Sequence, residues 1–202
     1  MSPRKAAALR HADGRSLREH LIATAGRMIS AQGTAGLTVR AIAREAGVAD
    51  GVLYNHFTDK EELLANALRA HVRAVEAELG TLPEPGSATV EWNLRTHLEY
   101  GLALHRAILP AFAGLLAQPA VLTRFGELGG DGDEWRDRLR EYLRAERALG
   151  RLAADARVDA AAAMLVGICH EAVLSGLLPH AGSTRSPAAD EVIEAVLTGI
   201  AK

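Results

Sequence analysis

Basic side chains that can neutralise phosphate are concentrated at the N-terminal end of this 202-residue chain. Residues 1–60 contain nine Lys or Arg and five Asp or Glu, whereas residues 61–202 contain 14 and 20. Ammonium and guanidinium groups bind nucleic acid by neutralising phosphates and releasing condensed counterions. Uneven charge arises by chance as well, but this excess coincides with a second feature of the same segment.

That feature is a pair of short helical patterns in residues 38–57, which read TVRAIAREAGVADGVLYNHF. Thr38 is a good N-cap for the first helix, because its hydroxyl can accept a hydrogen bond from a free N–H of the first turn. Gly47 suits the left-handed conformation that ends a helix. One apolar face at helical spacing consists of Val39, Ile42, Ala43 and Ala46.

The second pattern starts near Asp50, a plausible cap, and places Leu53 and Phe57 four residues apart on the core side. Two helices joined by such a turn form a helix-turn-helix, whose second helix can enter a DNA major groove. Asp59 then begins another helix, with Glu62 three residues later in a variant of the capping box.

Longer helical patterns surround this segment. Ser16 and Glu19 form a capping box for a first helix that ends at Gly33. The helix from Asp59 continues without Gly or Pro to Gly80, and a further pattern runs from Val90 until Pro110. Residues 1–15 are basic and form either an arm that reaches DNA or a solvated tail.

Residues 16–68 resemble the DNA-binding domain of the TetR (tetracycline-repressor-like) transcription regulators. The matching pieces are LTVRAIAREAGV, GVLYNHF and DKEELL. The resemblance implies an all-α protein of about nine helices, with an N-terminal three-helix DNA-binding domain and a C-terminal helical ligand-binding and dimerisation domain. We therefore expect an arm at 1–15, the helix-turn-helix domain at 16–60, and the effector-binding and dimerisation domain at 61–202.

The same resemblance places these residues at the DNA: Thr38, Arg40, Asp50, Gly51, Tyr54, Asn55, His56 and Lys60. It implies phosphate contacts for Thr38, Tyr54, His56 and Lys60. Arg40 would reach a phosphate or a guanine edge, and the Asn55 amide suits adenine. Gly51 would allow the backbone to come close.

Each role has a structural alternative, and three positions depart from the family pattern. The Tyr54 ring could be half-buried in the core, His56 could cap a helix end, and Arg40 and Arg44 could be solvated. Ala49 and Val52 replace common hydroxyl residues, and Asp50 stands where a basic or neutral residue is frequent. Asp50 would repel phosphate unless it caps the helix or accepts from a cytosine amine.

Aromatic and histidine side chains concentrate in the middle of a chain that has only 4% aromatic residues. The expected effector pocket, for which ordinary core is the alternative, comprises Trp92, His97, Tyr100, His105, Phe112, Phe125 and Tyr142. His97, His105 and His170 lack the spacing of a metal site, so we expect no metal and no cofactor. Cys169 is interpreted as a small core residue, with redox sensing as a minor alternative.

Two apolar helices near the C-terminus need a partner surface. The first, near 158–178, is rich in Ala and Gly, and the second contains Val192 and Val196. They pack either within one chain or in a four-helix bundle between two chains, as the resemblance implies. The expected dimer interface comprises Leu165, Ile168, Ala172, Val173, Val192 and Val196.

We therefore expect a ligand-responsive DNA-binding regulator, with repression as the family default, that binds a palindromic operator as a homodimer. A small apolar or amphipathic effector would release it. The single cysteine and the lack of an apolar run near about 20 residues favour a cytoplasmic protein without a membrane partner. The chain has no phosphate-binding loop or nucleophile elbow, so an enzyme is a lesser alternative, as is a helical interaction protein without DNA binding.

Overall fold

The computed structural model describes residues 16–34, 37–129, 134–177 and 187–200, which form helices and turns without a strand. The predicted basic arm at 1–15 lies outside the described residues. The helices are α1 (Leu17–Gln32), α2 (Val39–Glu45), α3 (Asp50–Leu53), α4 (Lys60–Leu79), α5 (Val90–Ala113), α6 (Pro119–Glu127), α7 (Trp135–Ala148), α8 (Val158–Leu177) and α9 (Ala189–Ile200). The all-α expectation is confirmed.

Hydrogen bonds at the helix ends account for several boundaries. The Ser16 hydroxyl accepts from the N–H of Glu19 at 3.2 Å, and the Glu19 carboxylate accepts from the N–H of Ser16 at 2.8 Å. The Thr38 hydroxyl accepts from the N–H of Ala41 at 3.1 Å. Gly47 has a φ of 70° after α2, in the left-handed region that favours glycine. The predicted capping box, N-cap and helix stop are therefore confirmed.

The prediction that Asp50 caps the second helix is wrong by one residue. Ala49 occupies the cap position and makes no side-chain cap bond, while Asp50 is the first residue of α3. The helix also ends at Leu53, and residues 54–56 form a turn. Asn disfavours helix interiors because its side chain competes for backbone hydrogen bonds. Tyr54, Asn55 and His56 therefore lie after the helix and not on it.

The start of α4 follows the prediction with one change. Asp59 Oδ1 accepts from the N–H of Glu62 at 2.7 Å, as an N-cap does. The Glu62 carboxylate bonds one residue further back than in a capping box, because it accepts from the N–H of Thr58 at 2.7 Å. One free donor of the first turn and the N–H of Thr58 before the helix are thereby satisfied.

The prediction that a helix ends at Pro110 is wrong, since α5 continues to Ala113. A proline removes its own N–H donor but not those of the residues after it. The N–H of Gly114 still lies 3.4 Å from the carbonyl oxygen of Pro110. One more turn of helix therefore forms after the proline.

The described residues divide into two compact units. The first, which we call the N-terminal unit, contains the residues up to Val75 together with Pro110–Leu128. The second, the C-terminal unit, contains Glu76–Leu109 and the residues from Gly129 onwards. Helices α4 and α5 each contribute to both units.

In the C-terminal unit, α8 packs against α7 and α9. Among the described residues, Val158–Gly176 of α8 is the stretch that is long and apolar enough to span a membrane, although only 39% of it is buried. The sequence shows no uninterrupted apolar run near this length, but the mean hydropathy of this helix reaches the range of a membrane span. A core helix of a helical bundle passes the same test of length and composition.

Candidate nucleic-acid interface

An apolar floor supports the helix-turn-helix within the N-terminal unit. Ile42 of α2 is completely buried, and Leu53 and Phe57 are only 2% and 4% exposed. The Arg18 guanidinium lies over the Phe57 ring, 4.9 Å from its centroid. Because α3 has only four residues, these tertiary contacts and not its own hydrogen bonds must hold it in place.

Polar side chains occupy the opposite face. Thr38, Arg40, Asp50, Gly51, Tyr54 and Asn55 are exposed, and His56 and Lys60 are partly exposed. The Tyr54 ring is 62% exposed, so the alternative that it packs in the core is wrong. A Cβ added to Gly51 would meet no atom within 4 Å, so the backbone is open to an approaching surface.

Arg40 and Asp50 connect the two helices of the motif. The Arg40 Nε lies 3.2 Å from Asp50 Oδ2, across the turn that contains Gly47. Their side chains are 89% and 52% exposed, so water screens the pair and its contribution to stability is small. The pair positions a guanidinium and a carboxylate side by side on the polar face, where they can donate to guanine and accept from cytosine.

The start of α4 is attached to α6, a contact that the sequence pattern does not predict. Arg124 of α6 forms an ion pair with Asp59 at 2.6 Å, and Lys60 Nζ lies 3.4 Å from Gln118 Oε1. Asp59 thus caps α4 with one carboxylate oxygen and binds α6 with the other. No local sequence pattern signals this contact, since its partners are about 60 positions apart.

Glu62 joins α1 to the same region. Its carboxylate forms an ion pair with Arg18 at 3.0 Å and accepts from both the N–H and the hydroxyl of Thr58. The Thr58 N–H lowers the pKa of Glu62, and the Thr58 hydroxyl and Arg18 lower it further. Glu62 is therefore an anion that orients the segment between α3 and α4.

The expected effector-pocket residues fall into both units. In the C-terminal unit, His97, Tyr100, His105 and Tyr142 are buried, whereas Trp92 is 54% exposed. The ring centroids of His97 and Tyr142 are 4.4 Å apart. Burial lowers the pKa of His97 to about 4 and also lowers that of His105. Both imidazoles are therefore neutral at pH 7.

Phe112 and Phe125 belong to the N-terminal unit. Their rings meet edge to face with centroids 5.0 Å apart, and the Arg69 guanidinium lies 4.3 Å from the centroid of Phe125. Arg69 also donates to the carbonyl oxygen of Phe125 at 3.1 Å. These two phenylalanines therefore pack against α4 within the N-terminal unit.

The expected interface residues are mostly covered already within one chain. Leu165, Val173, Val192 and Val196 are buried, and Ile168 and Ala172 are partly exposed. The exposed large side chains of α8 are instead Met164 and Leu174, at 53% and 48%.

Cys169 is fully buried, and burial raises the pKa of its thiol to about 12. This agrees with the interpretation of Cys169 as a core residue, because the reactive thiolate is not populated at pH 7. Within the described ranges, no group of three or more His, Cys, Asp or Glu side chains is arranged to hold a metal ion.

Comparison with known sequences finds a match over the segment from α1 into α4. Residues 21–67 match the sequence model described as bacterial regulatory proteins of the tetR family. This match confirms the resemblance seen in the helix-turn-helix segment. No curated protein matches the chain.

Solved structures match nearly the whole chain. A tetR-family transcriptional regulator from Mesorhizobium loti is 20% identical, with a TM-score of 0.63 over 92% of this chain and 97% of that one. The flavonoid-responsive regulator FrrA is 26% identical, with a TM-score of 0.62 over 90% and 93%. FadR from Bacillus subtilis, solved with stearoyl-CoA, is 19% identical, with a TM-score of 0.59 over 90% and 98%.

Proposed function

We propose that this chain, which is a member of the tetR family of bacterial regulatory proteins, is a ligand-responsive transcriptional repressor that binds operator DNA through residues 38–60. The observation that carries the proposal is the two-sided helix-turn-helix. Ile42, Leu53 and Phe57 are buried on one side, and the polar residues of the motif are exposed on the other. Such a protein acts in the cytoplasm, where its DNA is, and performs no catalysis.

The polar face divides into positioning and reading groups. Thr38, with the free N–H groups at the start of α2, suits a phosphate, as do Tyr54, His56 and Lys60. Arg40 and Asp50 suit the edges of a G·C pair, and Asn55 suits adenine. The turn after α3 carries Tyr54 and Asn55, so these side chains reach DNA from a loop.

A homodimer would present two such faces to a palindromic site. We propose that α8 and α9 form a four-helix bundle with their copies. The exposed positions Met164 and Leu174 suit the contact better than the buried Leu165 and Val173. Two recognition elements about 34–36 Å apart would then match half-sites separated by one DNA turn.

An effector would act by shifting the population between two states. Helix α4 begins beside the DNA-reading residues and ends in the C-terminal unit, so it links the two by its backbone. A ligand shifts the equilibrium only by its difference in affinity between the DNA-competent state and the other. FadR and FrrA, as regulators described with stearoyl-CoA and flavonoids, support a small organic effector.

The test is selection of genomic fragments by the full chain, followed by sequencing and gel-shift titration of the enriched DNA. We expect a palindrome with half-sites about one turn apart and an affinity that falls with salt. Arg157→Gln, which removes an exposed positive charge in the C-terminal unit, should leave the shift unchanged. Recovery of unenriched fragments, with weak binding equal for all sequences, would refute the proposal.

A further inference from the structure

A groove between α7 and α8 lies within the C-terminal unit. It has a volume of about 310 Å³, at the lower end of the range for small-molecule sites. Its polar lining comes from Arg136 and Arg140 of α7 and from Asp159 and His170 of α8. None of the seven expected effector-pocket residues lines it.

The charges at this groove are unbalanced. Arg140 is neutralised by Asp137 at 2.9 Å and by Asp159 at 3.3 Å, and Asp159 also accepts from Arg144 at 3.0 Å. Arg136 makes no ion pair or hydrogen bond with any residue in the described part of the chain. Arg136 is exposed, so only water compensates its charge at the groove, and its guanidinium is available to bind an anion.

The other wall of the groove is apolar. Ala162, Ala163, Val166 and Gly167 present methyl groups and bare backbone. A Cβ added to Gly167 would meet no atom within 4 Å, so the space over this residue is open. An inorganic anion would gain nothing from such a wall, whereas a carboxylate on an apolar body would bury its hydrocarbon there.

His170 supplies a further polar contact at the groove. Its ring lies 4.9 Å from that of His105, centroid to centroid. Burial lowers the pKa of His170, and the positive charge of Arg136 lowers it further. The imidazole is therefore neutral at pH 7, and it adds hydrogen-bonding capacity without adding charge.

We propose that the α7–α8 groove binds a small organic carboxylate, with Arg136 holding the carboxylate and the Val166–Gly167 wall covering its apolar body. This inference rests on the proposed function: in a ligand-responsive regulator, the groove would be the site through which a metabolite of that class controls DNA binding. The chemistry of the groove selects the charge and the apolar character of the ligand. The carboxylate binds the chain in the absence of DNA, so its affinity can be measured on the free protein.

The test is calorimetry on the full chain without DNA, using octanoate and phenylacetate and their neutral amides as probes. We expect both carboxylates to bind and both amides to bind at least about tenfold more weakly, because a charged hydrogen bond is lost. Equal binding of acids and amides, or no binding of either acid, overturns the proposal. DNA binding that fails while carboxylate binding persists refutes only the proposed function.

Two substitutions locate the site. Arg136→Gln should weaken octanoate binding about ten- to a hundredfold, while Arg157→Gln, also on an exposed arginine, leaves it unchanged. Gly167→Leu should fill the groove and abolish binding, while Gly176→Leu, at an equally open position of α8, does not. Octanoate affinity that survives both Arg136→Gln and Gly167→Leu overturns the assignment.

A second copy of the chain is the competing occupant of this groove, since Gly167 is exposed on α8. Sedimentation of the same variants separates the two cases. We expect Arg136→Gln to keep the wild-type mass in solution while it loses octanoate. If Arg136→Gln and Gly167→Leu convert a dimer to monomers and leave octanoate affinity unchanged, the groove is an interface and the proposal is overturned.

Discussion

Arg40 of α2 and Asp50 of α3 form an ion pair across the turn of the helix-turn-helix, with 3.2 Å between Nε and Oδ2. Asp50 is one of three residues that depart from the family pattern, and the ion pair gives it a structural role. Engaging Nε leaves the two terminal nitrogens of Arg40 free to point at a base edge. In the proposed DNA complex, the carboxylate would also offset one positive charge of the polar face and so restrain binding to arbitrary sequence.

We predict that Asp50→Asn releases Arg40 and strengthens binding to non-cognate DNA while it broadens base preference in the half-site. The physical reason is the loss of a negative charge near phosphate and of the group that orients the guanidinium. Selection from randomised half-sites, with gel-shift salt titrations, measures both effects. Asp155→Asn, an exposed change of the same charge in the C-terminal unit, is the control. An unaltered half-site preference in Asp50→Asn would show that the pair does not read DNA.

Lys60→Ala should weaken binding to all DNA sequences alike and reduce the slope of log affinity against log salt by about 0.9, the value for one phosphate contact. Tyr54→Phe, which removes a neutral hydroxyl from an exposed ring, should weaken binding without changing that slope. Lys60→Arg keeps the charge and is the control. A Lys60→Ala slope equal to that of the wild type would remove Lys60 from the phosphate contacts.

Thr38 has two roles that substitution can separate. Thr38→Ala should lower the free energy of unfolding by about 1 kcal/mol, because the N–H of Ala41 loses its acceptor. Thr38→Asp keeps an N-cap acceptor and should retain stability, but its charge repels phosphate and should abolish the DNA shift. Urea unfolding and gel shifts measure the two quantities. Full DNA binding by Thr38→Asp would contradict a phosphate contact at this position.

Gly101→Ala should destabilise the C-terminal unit by roughly 1–3 kcal/mol, because an added Cβ would overlap the Trp135 ring. In a Trp135→Leu background, adding Gly101→Ala should lower the melting temperature by less than it does in the wild type, because the overlapping ring is absent. Gly126→Ala, at a helical position with open space around it, should be neutral or slightly stabilising. Thermal melts of the four variants provide the check. Equal stability of Gly101→Ala and the wild type would show that the Trp135 ring of α7 does not lie against Gly101 of α5.

The stability of the chain should fall as pH drops from about 6.5 to about 4. Burial lowers the pKa of His97 from 6.5 to about 4, with Arg138 contributing, so the unfolded chain takes up a proton that the folded chain refuses. The resulting loss amounts to at most about 3 kcal/mol by pH 4. Urea titrations across this range should show a shallower pH dependence for His97→Gln. A wild-type profile in His97→Gln would disprove the assignment.

The helix starts and stops were predictable because their causes are local. The bonds of Ser16 to Glu19 and of Thr38 to Ala41 span three residues, and the conformation of Gly47 depends on its own missing Cβ. The apolar faces followed from helical periodicity in the same way. The family was recognisable for the same reason, because its motif is a continuous run of residues.

The sequence by itself therefore determined most of the helices, the caps at Ser16 and Thr38, and the helix-turn-helix motif. Only the tertiary structure decided that Asp59 holds Arg124, that Trp92 is exposed, and that Phe112 and Phe125 pack in the N-terminal unit. Only the fold also created the groove at Arg136. These relationships join positions tens of residues apart, and the periodicity of one helix contains no information about which other helix will cover it.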